Sequence, residues 1–503
     1  MTSGIGTAPG IVAQAHGLIG LARQEFAREP RARALLADCA GRLGQPLRVA
    51  LAGSLKAGKS TLLNALVGQD IAPTDATECT RVVTWYRHGS TPNVTAYAPD
   101  GATANVVVRR GANTGLTFDL TGLTWNAPGP RAVDHLEVGW PAAALANTTI
   151  IDTPGTSSLS REVSARTARL LTPDDPRENP ALPGADAVVY LLRRLDTSDI
   201  RFLERIGASA EAGGPLGVIG VVSRADEIGA GRIDALHSAR DMAMRFAGEL
   251  ERTGLCQAVI PVAGLLAFAA ATLRQQEFAA FEALAGAPSE ELSAALLSAD
   301  RFARADIALP VPPELRARLA DRFGIFGIRM AVTLIRLGVG DSAALAAALT
   351  ERSGVDELRS VLDVQFAQRA DQLKAHSALS ALARVLSAYP GTAADRLLPR
   401  VRTLLADVHG FAELRLLGRL RTDELPLPAA DLAELHRLIG GSGIATHLRL
   451  GLPPDAAPAD RRAQAVAAVR KWRDRARHPL ADQFTRSACL IAARSAEGTL
   501  GAE

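Results

Sequence analysis

The spacing of apolar residues changes twice along the chain. Over residues 1–44, Ile11, Leu18, Leu21, Phe26, Leu35 and Leu36 recur at helical intervals, which predicts a helical lead. From 46 to about 270 the pattern becomes short apolar runs between turns: RVALA (48–52), RVVTWY (81–86), TII (149–151), DAVVYLL (186–192), GVIGVV (217–222) and AVI (258–260). Several are apolar on both faces, as strands are when helices cover a parallel sheet on both sides. Pro99-Asp100-Gly101 predicts a hairpin whose arms run from 94 to 109, and residues 172–185 read as a proline-rich acidic loop. Past about 271 the strand pattern stops. The stretch 355–389 has no proline, and Leu358, Leu362, Phe366, Leu373, Leu379, Leu382 and Leu386 keep a helical stripe. One helix there would reach on the order of 50 Å, long for a compact domain and suited to an extended bundle. The expected organisation is a helical segment over 1–45, an α/β domain over 46–270 with a mostly parallel sheet and helices on both faces, and an all-α region over 271–503.

Composition narrows the class. The 503 residues, long enough for two to four domains, are 48% hydrophobic, 22% charged and 4% aromatic, a globular balance with enough aliphatic material for a sizeable core. A net charge of +3 gives no general attraction to nucleic acid, and none is expected as a partner. Cys39, Cys79, Cys256 and Cys489 form no C-x-x-C pair, so neither a zinc nor a disulfide framework is legible and a reducing compartment is expected. The N-terminus, MTSGIGTAPG, lacks the pattern of a cleaved signal peptide. Residues 253–273 carry no charge and are long enough to span a bilayer. Gly254, Gln257, Pro261 and Gly264 divide them into a strand, a turn and an alanine-rich helix, so a buried segment is expected. The basic residues are lopsided: four lysines stand against fifty-two arginines, and Lys56 and Lys59 share one short glycine-bearing loop.

That loop, GSLKAGKS (53–60), matches G-x-x-x-x-G-K-[ST]. It follows a predicted strand and opens a predicted helix, the context the motif needs. Consecutive N–H groups of Gly53, Ser54, Leu55, Lys56, Ala57, Gly58, Lys59, Ser60 and Thr61 would wrap a β-phosphate at a helix N-terminus. Lys59 would neutralise β- and γ-phosphates, and the Ser60 hydroxyl would ligate Mg²⁺. Two further motifs follow in order at strand ends. In DTPG (152–155), Asp152 would hold Mg²⁺ through water and the Gly155 N–H would meet the γ-phosphate. In SRAD (223–226), Ser223 and Arg224 lead to Asp226, whose carboxylate would accept two hydrogen bonds from guanine that adenine cannot supply. A Mg²⁺-closing threonine is sought in PTDATECTR (73–81); Thr80, just before a strand, is favoured over Thr77 and Thr74. Around Ala263 the backbone would pack against the base. Together these predict a P-loop GTPase domain binding GTP/GDP and Mg²⁺.

GSLKAGKSTLLNALVG, PTDATECTR, IIDTPG and VVSRADEIG resemble the dynamin superfamily, specifically the bacterial dynamin-like proteins. The resemblance implies a GTPase head that hydrolyses GTP to GDP and phosphate, a helical neck combining N-terminal with returning C-terminal segments, and a helical trunk whose tip binds lipid. It implies a cytoplasmic protein held peripherally on the plasma membrane, and a nucleotide-dependent homodimer or an assembly with a related dynamin-like protein. Carried over by position, Lys59, Ser60, Thr80, Asp152, Gly155 and Asp226 take the roles above, Thr80 lying twenty residues beyond Ser60. Four departures stand out. Arg224 replaces the usual lysine beside the base. Thr156 stands where Ras-like enzymes carry a glutamine. Leu55 replaces a polar catalytic side chain, which implies slow basal turnover. Lys56 stands where some dynamins bind a monovalent cation, so its ammonium is expected to substitute for that ion, or else to sit solvated on the loop's outer edge.

Contacts outside the head are less legible. Residues 461–477 contain seven basic residues with Ala465, Val469, Trp472 and Ala476 on one helical face. The pattern fits a bundle helix better than a lipid contact. The run FGIFGIRM (323–330) reads as core, and 379–427 as a candidate trunk tip. Two functions compete: a mechanoenzyme that remodels membranes through head dimerisation, and a GTP-regulated switch that binds a related partner without remodelling lipid. An RNA-associated GTPase is disfavoured by the near-neutral charge and few aromatics.

Overall fold

The computed structural model describes residues 10–74, 82–111, 115–155, 170–171, 184–211, 217–228, 234–251, 256, 258–420 and 425–500. Among them, nine strands form one sheet in the order β11-β10-β9-β1-β8-β2-β7-β3-β4. These are β1 (Leu47–Gly53), β2 (Val83–His88), β3 (Asn93–Tyr97), β4 (Thr103–Asn105), β7 (His135–Trp140), β8 (Thr148–Asp152), β9 (Ala187–Leu192), β10 (Gly217–Ser223) and β11 (Ala258–Val262); β5 (Val107–Gly111) pairs only with β6 (Gly115–Asp119). The five strands from β11 to β8 run parallel, and β2 enters antiparallel to β8. Each of the six predicted apolar runs is a strand, and every residue of β9 and β10 is buried, as strands covered on both faces must be. Pro261 sits inside β11, which among the described residues pairs only with β10, so its missing N–H costs no ladder bond there. The hairpin at Pro99-Asp100-Gly101 forms, but its arms are β3 and β4; from Val107 the chain turns into the second hairpin.

Helices α1 (Ile11–Glu25), α2 (Pro30–Gly44), α3 (Lys59–Val67), α4 (Thr197–Glu211) and α5 (Ala235–Glu251) lead up to or flank the sheet. After β11 come α6 (Gly264–Ala271), α7 (Gln275–Ala285), α8 (Ser289–Ala295), α9 (Ala299–Phe302), α10 (Pro313–Arg336) and α11 (Ser342–Arg352). One core joins them to the sheet domain: Ala225, Ala263 and Leu266 share it with Phe278, Phe281, Phe323, Phe326 and Leu349. It crosses the expected boundary at 270 without a break, so these helices form a shell on the α/β unit. The uncharged stretch 253–273 contributes β11 and α6, and among the described residues no helix is long and apolar enough to cross a membrane.

The single long helix expected over 355–389 is corrected. α12 (Val355–Leu362) gives way to a π-turn at Asp363–Ala367, and α13 (Ala370–Ala388) follows after Arg369 leaves helical geometry. Two burials account for the break. Val355, Leu358 and Phe366 insert into the sheet-domain core, while the Arg369 guanidinium turns away to donate to the carbonyls of Ile439 (3.0 Å) and Gly440 (2.6 Å). One straight helix cannot present both faces, and a π-turn supplies the needed rotation.

α1 and α2 share a core with α13, α14 (Thr392–Asp407) and Phe411, so N-terminal and C-terminal segments fold together. Leu379, Leu382 and Leu386 lie wholly in this core, and Tyr389, at the break before Pro390, meets Phe26 ring to ring at 6.0 Å. The front of the stretch considered as a trunk tip is therefore interior. The remaining helices, α15 (His409–Arg419), α16 (Ala429–Leu438), α17 (Thr446–Leu450), α18 (Pro458–Ala476) and α19 (Gln483–Leu500), close a bundle on Trp472, Leu435 and Ala492. The basic stretch is α18. Ala465, Ala468, Trp472 and Ala476 are its buried side; Lys471 pairs with Asp431 and Glu434, Arg475 with Asp431, and Arg473 with Glu497.

Candidate nucleotide site

The site lies at the C-terminal ends of the parallel strands, where an open α/β sheet leaves its crevice. β1 ends in Gly53 at φ +141, and a Cβ there would stand 2.4 Å from the Leu191 carbonyl oxygen of β9. Only glycine lets the loop turn so close to its neighbouring strand. Gly58 at φ +91 then opens α3. Lys59 is buried, and its ammonium donates to the carbonyls of Gly53 (3.2 Å) and Ser54 (3.1 Å), inside the loop it would serve. Burial lowers its pKa and nearby Asp152 opposes that shift. The Ser60 hydroxyl donates to the Asp152 carboxylate at 2.6 Å. Burial raises the Asp152 pKa, against Lys59 and Ser60. Hydroxyl and carboxylate are hard oxygen donors of the kind Mg²⁺ selects, so two of the three predicted metal residues, Ser60 and Asp152, are brought together.

Gly155 closes on the loop from the other side. A Cβ on it would lie 2.8 Å from both the nitrogen and Cα of Leu55, so the DTPG segment and the phosphate loop touch backbone to backbone. Thr153, which sequence reasoning passed over, anchors this segment by donating its hydroxyl to the Leu51 carbonyl at 2.8 Å. Leu55 is exposed at the mouth. Lys56 is exposed beside it at φ +60, a left-handed geometry uncommon outside glycine. Thr74 lines the cavity, while Thr77, Thr80 and Thr156 fall outside the described residues.

A cavity of about 310 Å³ runs along residues 55–61 to Thr74, Asp152, Thr153, Gly155 and Arg224. A second, of about 130 Å³, adjoins it through Ala57, Gly58, Thr61 and Arg224 and reaches Ser223, Asp226, Val262, Gly264 and Leu265. Ala263 lies buried between the last two segments, its N–H donating to the Ser353 carbonyl at 2.8 Å. Asp226 is only 6% exposed, and its Oδ1 has no hydrogen-bond partner among the described residues. Burial pushes its carboxyl up to about 6. A buried carboxylate oxygen without a partner costs free energy unless a ligand donates to it. Arg224 at φ +54 is held over this end by Glu227 (2.6 Å), which also meets Arg193 (3.3 Å). A deep loop for phosphates thus continues into a slot with an acceptor at its end. Gly324 of α10, also beside Asp226, was read only as core; a glycine inside a helical pattern was the signal available.

Known proteins resemble this chain over most of its length. Residues 49–120 match the Dynamin family. The isoniazid-induced protein IniC of Mycobacterium tuberculosis is 54% identical over 458 residues, covering 91% of this chain and 90% of its own length. IniA of the same organism is 31% identical over 237 residues, 46% of this chain and 33% of its own. A bacterial dynamin-like protein of Nostoc punctiforme is 44% identical over 54 residues, 11% of this chain and 8% of its own. Solved structures described as an oligomerised bacterial dynamin pair align over 97% of this chain and 73% of theirs, at a TM-score of 0.30 and 13% identity, a level that fixes nothing further. With nearly its full length matched at 54% identity, and with its phosphate loop inside the matched family segment, the chain belongs to the dynamin family as a bacterial dynamin-like protein close to IniC.

Proposed function

We propose that the chain is a Mg²⁺-dependent GTPase whose turnover relies on head dimerisation and is coupled, through the helical neck and trunk, to the binding and remodelling of a membrane. The observation that carries the nucleotide half is the Asp226 oxygen, without a partner among the described residues, at the end of a slot continuous with the Lys59 loop. Guanine offers two adjacent N–H donors to a carboxylate there; adenine presents no such pair. On binding, the Lys59 ammonium would exchange the Gly53 and Ser54 carbonyls for β- and γ-phosphate oxygens, and the loop N–H groups would take the β-phosphate. Ser60 and Asp152, completed by Thr80, would hold Mg²⁺, which would neutralise charge developing across the phosphates. The Gly155 N–H, fixed against Leu55, is the donor for the γ-phosphate. With leucine at 55, no side chain of that residue polarises the attacking water, so basal turnover is slow. Lys56 serves as a built-in cation beside the phosphates and makes hydrolysis independent of potassium.

The test is phosphate release from GTP and ATP, with and without anionic liposomes and with K⁺ replaced, using Lys59→Ala as control. We expect GTP preference, loss of activity in the variant and indifference to K⁺. Equal rates for variant and wild type would overturn the phosphate-loop assignment, ATP preference the role of Asp226, and a K⁺ requirement the role of Lys56. The membrane half draws on family membership, and placement on the cytoplasmic face of the plasma membrane belongs to it. The switch reading has one observation in its favour: α18, the most basic helix, commits Lys471, Arg473 and Arg475 to carboxylates of its own bundle. GTP hydrolysis without lipid co-sedimentation would select the switch, acting on a second copy or a related dynamin-like chain.

A further inference from the structure

α10 is 24 residues long and leaves helical geometry at one of them, Gly324, with φ +64 and ψ +173. That region of backbone space is nearly closed to every residue with a Cβ. The break falls against the base slot. A Cβ on Gly324 would lie 3.7 Å from Asp226 Oδ2 and 4.0 Å from Leu265 Cδ2, and both side chains line the slot. The approach is held from both sides. Before the break, Arg322 pairs with Glu277 at 2.8 Å and donates to the Thr272 carbonyl and hydroxyl, each at 3.0 Å. After it, a Cβ on Gly327 would lie 3.0 Å from Leu266 Cδ1, so α10 lies directly on α6, the helix that leaves the base-side loop. Phe323 and Phe326 are buried on either side. The wall is supplied by residues about a hundred positions beyond Asp226, outside the motifs that build the rest of the slot.

We infer that Gly324 is a specificity-positioning residue: the break in α10 sets the Asp226 carboxylate where both of its oxygens can serve a purine with adjacent N–H donors. The inference rests on the guanine reading of this slot. It makes base recognition depend on the helical shell, so the base and α10 move as one.

The experiment compares dissociation constants of GDP, IDP and ADP for the full chain. IDP keeps the ring N–H and lacks the exocyclic amino group, so the GDP-to-IDP ratio reads the second hydrogen bond. Wild type should favour GDP over IDP by roughly tenfold or more, as a bond to a charged acceptor does. Gly324→Ala should bring that ratio towards one while leaving IDP binding little changed. Gly338→Ala, which places a side chain in open space at φ +103, controls for backbone strain alone and should keep the wild-type ratio. An unchanged ratio in Gly324→Ala overturns this inference. Wild type that binds ADP as well as GDP overturns the guanine reading instead, so the two failures are distinct. If Gly324→Ala does not fold, amide exchange of residues 320–328 in wild type decides: protection by GDP and none by pyrophosphate supports the inference, and equal protection or none overturns it.

Discussion

Asp226 carries two opposed costs, and a single substitution separates them. Burial pushes its carboxyl up to about 6 from an ordinary 3.8, a difference equivalent to about 3 kcal/mol between its protonation states. The folded chain therefore holds the proton more tightly than the unfolded chain. The stability this provides is complete below about pH 4 and is lost as pH rises through about 6. Asp226→Asn should remove that pH dependence and raise stability at neutral pH by up to about 3 kcal/mol, read by denaturant unfolding across pH. The same change should weaken GDP binding by at least tenfold, because the slot loses a charged acceptor. Wild-type GDP affinity should fall below about pH 6, opposite in sign to the stability trend. A variant that is no more stable at neutral pH would show that the buried carboxylate is not strained in the folded protein.

Between elements, the contact to watch joins the helical segments to the sheet. Arg42 of α2 pairs with Asp186, at the foot of β9, at 3.0 Å with both side chains almost fully buried. Asp186 also accepts from the Arg48 N–H at 2.9 Å, so one carboxylate ties α2 to β1 and β9. Removing one partner strands a buried charge. Arg42→Met should cost about 3–5 kcal/mol in the first unfolding transition, and Arg42→Met with Asp186→Asn should recover more than half of it. No recovery in the double variant would mean that Arg42 acts through packing alone. A second buried network, in which Arg449 meets both oxygens of Glu413 (2.5 and 3.0 Å) and Ser495 donates to Oε1 (2.7 Å), ties α15 to α17 and α19. Those arginine and carboxylate positions were legible as residues and illegible as partners. Pairs separated by 144 or 36 positions leave no spacing to read.

At the scale of the whole molecule, the phosphate loop and the helical segment that carries α2 occupy opposite ends of the parallel strands, while α10 lies at the loop's own end. Lys59, Asp152 and Asp226 stand at their C-terminal ends, while Asp186 and α2 meet β1 and β9 at their starts. A strand buried on both faces is a stiff connection between the two, and β9 runs from Asp186 to the Leu191 carbonyl against Gly53. If turnover depends on head pairing, specific GTPase activity should rise with protein concentration, and anionic liposomes should raise it further by concentrating the chain on a surface. Activity per molecule that stays flat with concentration and with liposomes would remove dimerisation from the cycle and leave the switch.

Sequence by itself pointed to the five parallel strands, to β2 and to the loop between β1 and α3 with the motifs that follow it in order, but not to β5, β6 or β7. These follow from local rules: apolar runs that must be buried, glycines at φ values closed to other residues, and a lysine whose compact ammonium a planar guanidinium cannot replace. Lys59 is one of four lysines in a chain with fifty-two arginines, and its ammonium is buried on the Gly53 and Ser54 carbonyls. Tertiary structure decided what no local pattern encodes. The stripe over 355–389 looked continuous because each half is amphipathic, yet Phe366 and Arg369 bury towards different neighbours and the helix must turn between them. The shell α6–α11 belongs with the sheet because its apolar face meets Ala263 and Leu266, a contact set by where β11 ends in space. Gly324 lies against Asp226 because Arg322 and Gly327 hold α10 across that end of the cavity. Burial is a property of the folded whole; a residue's own chemistry is written in the chain, and its environment is not.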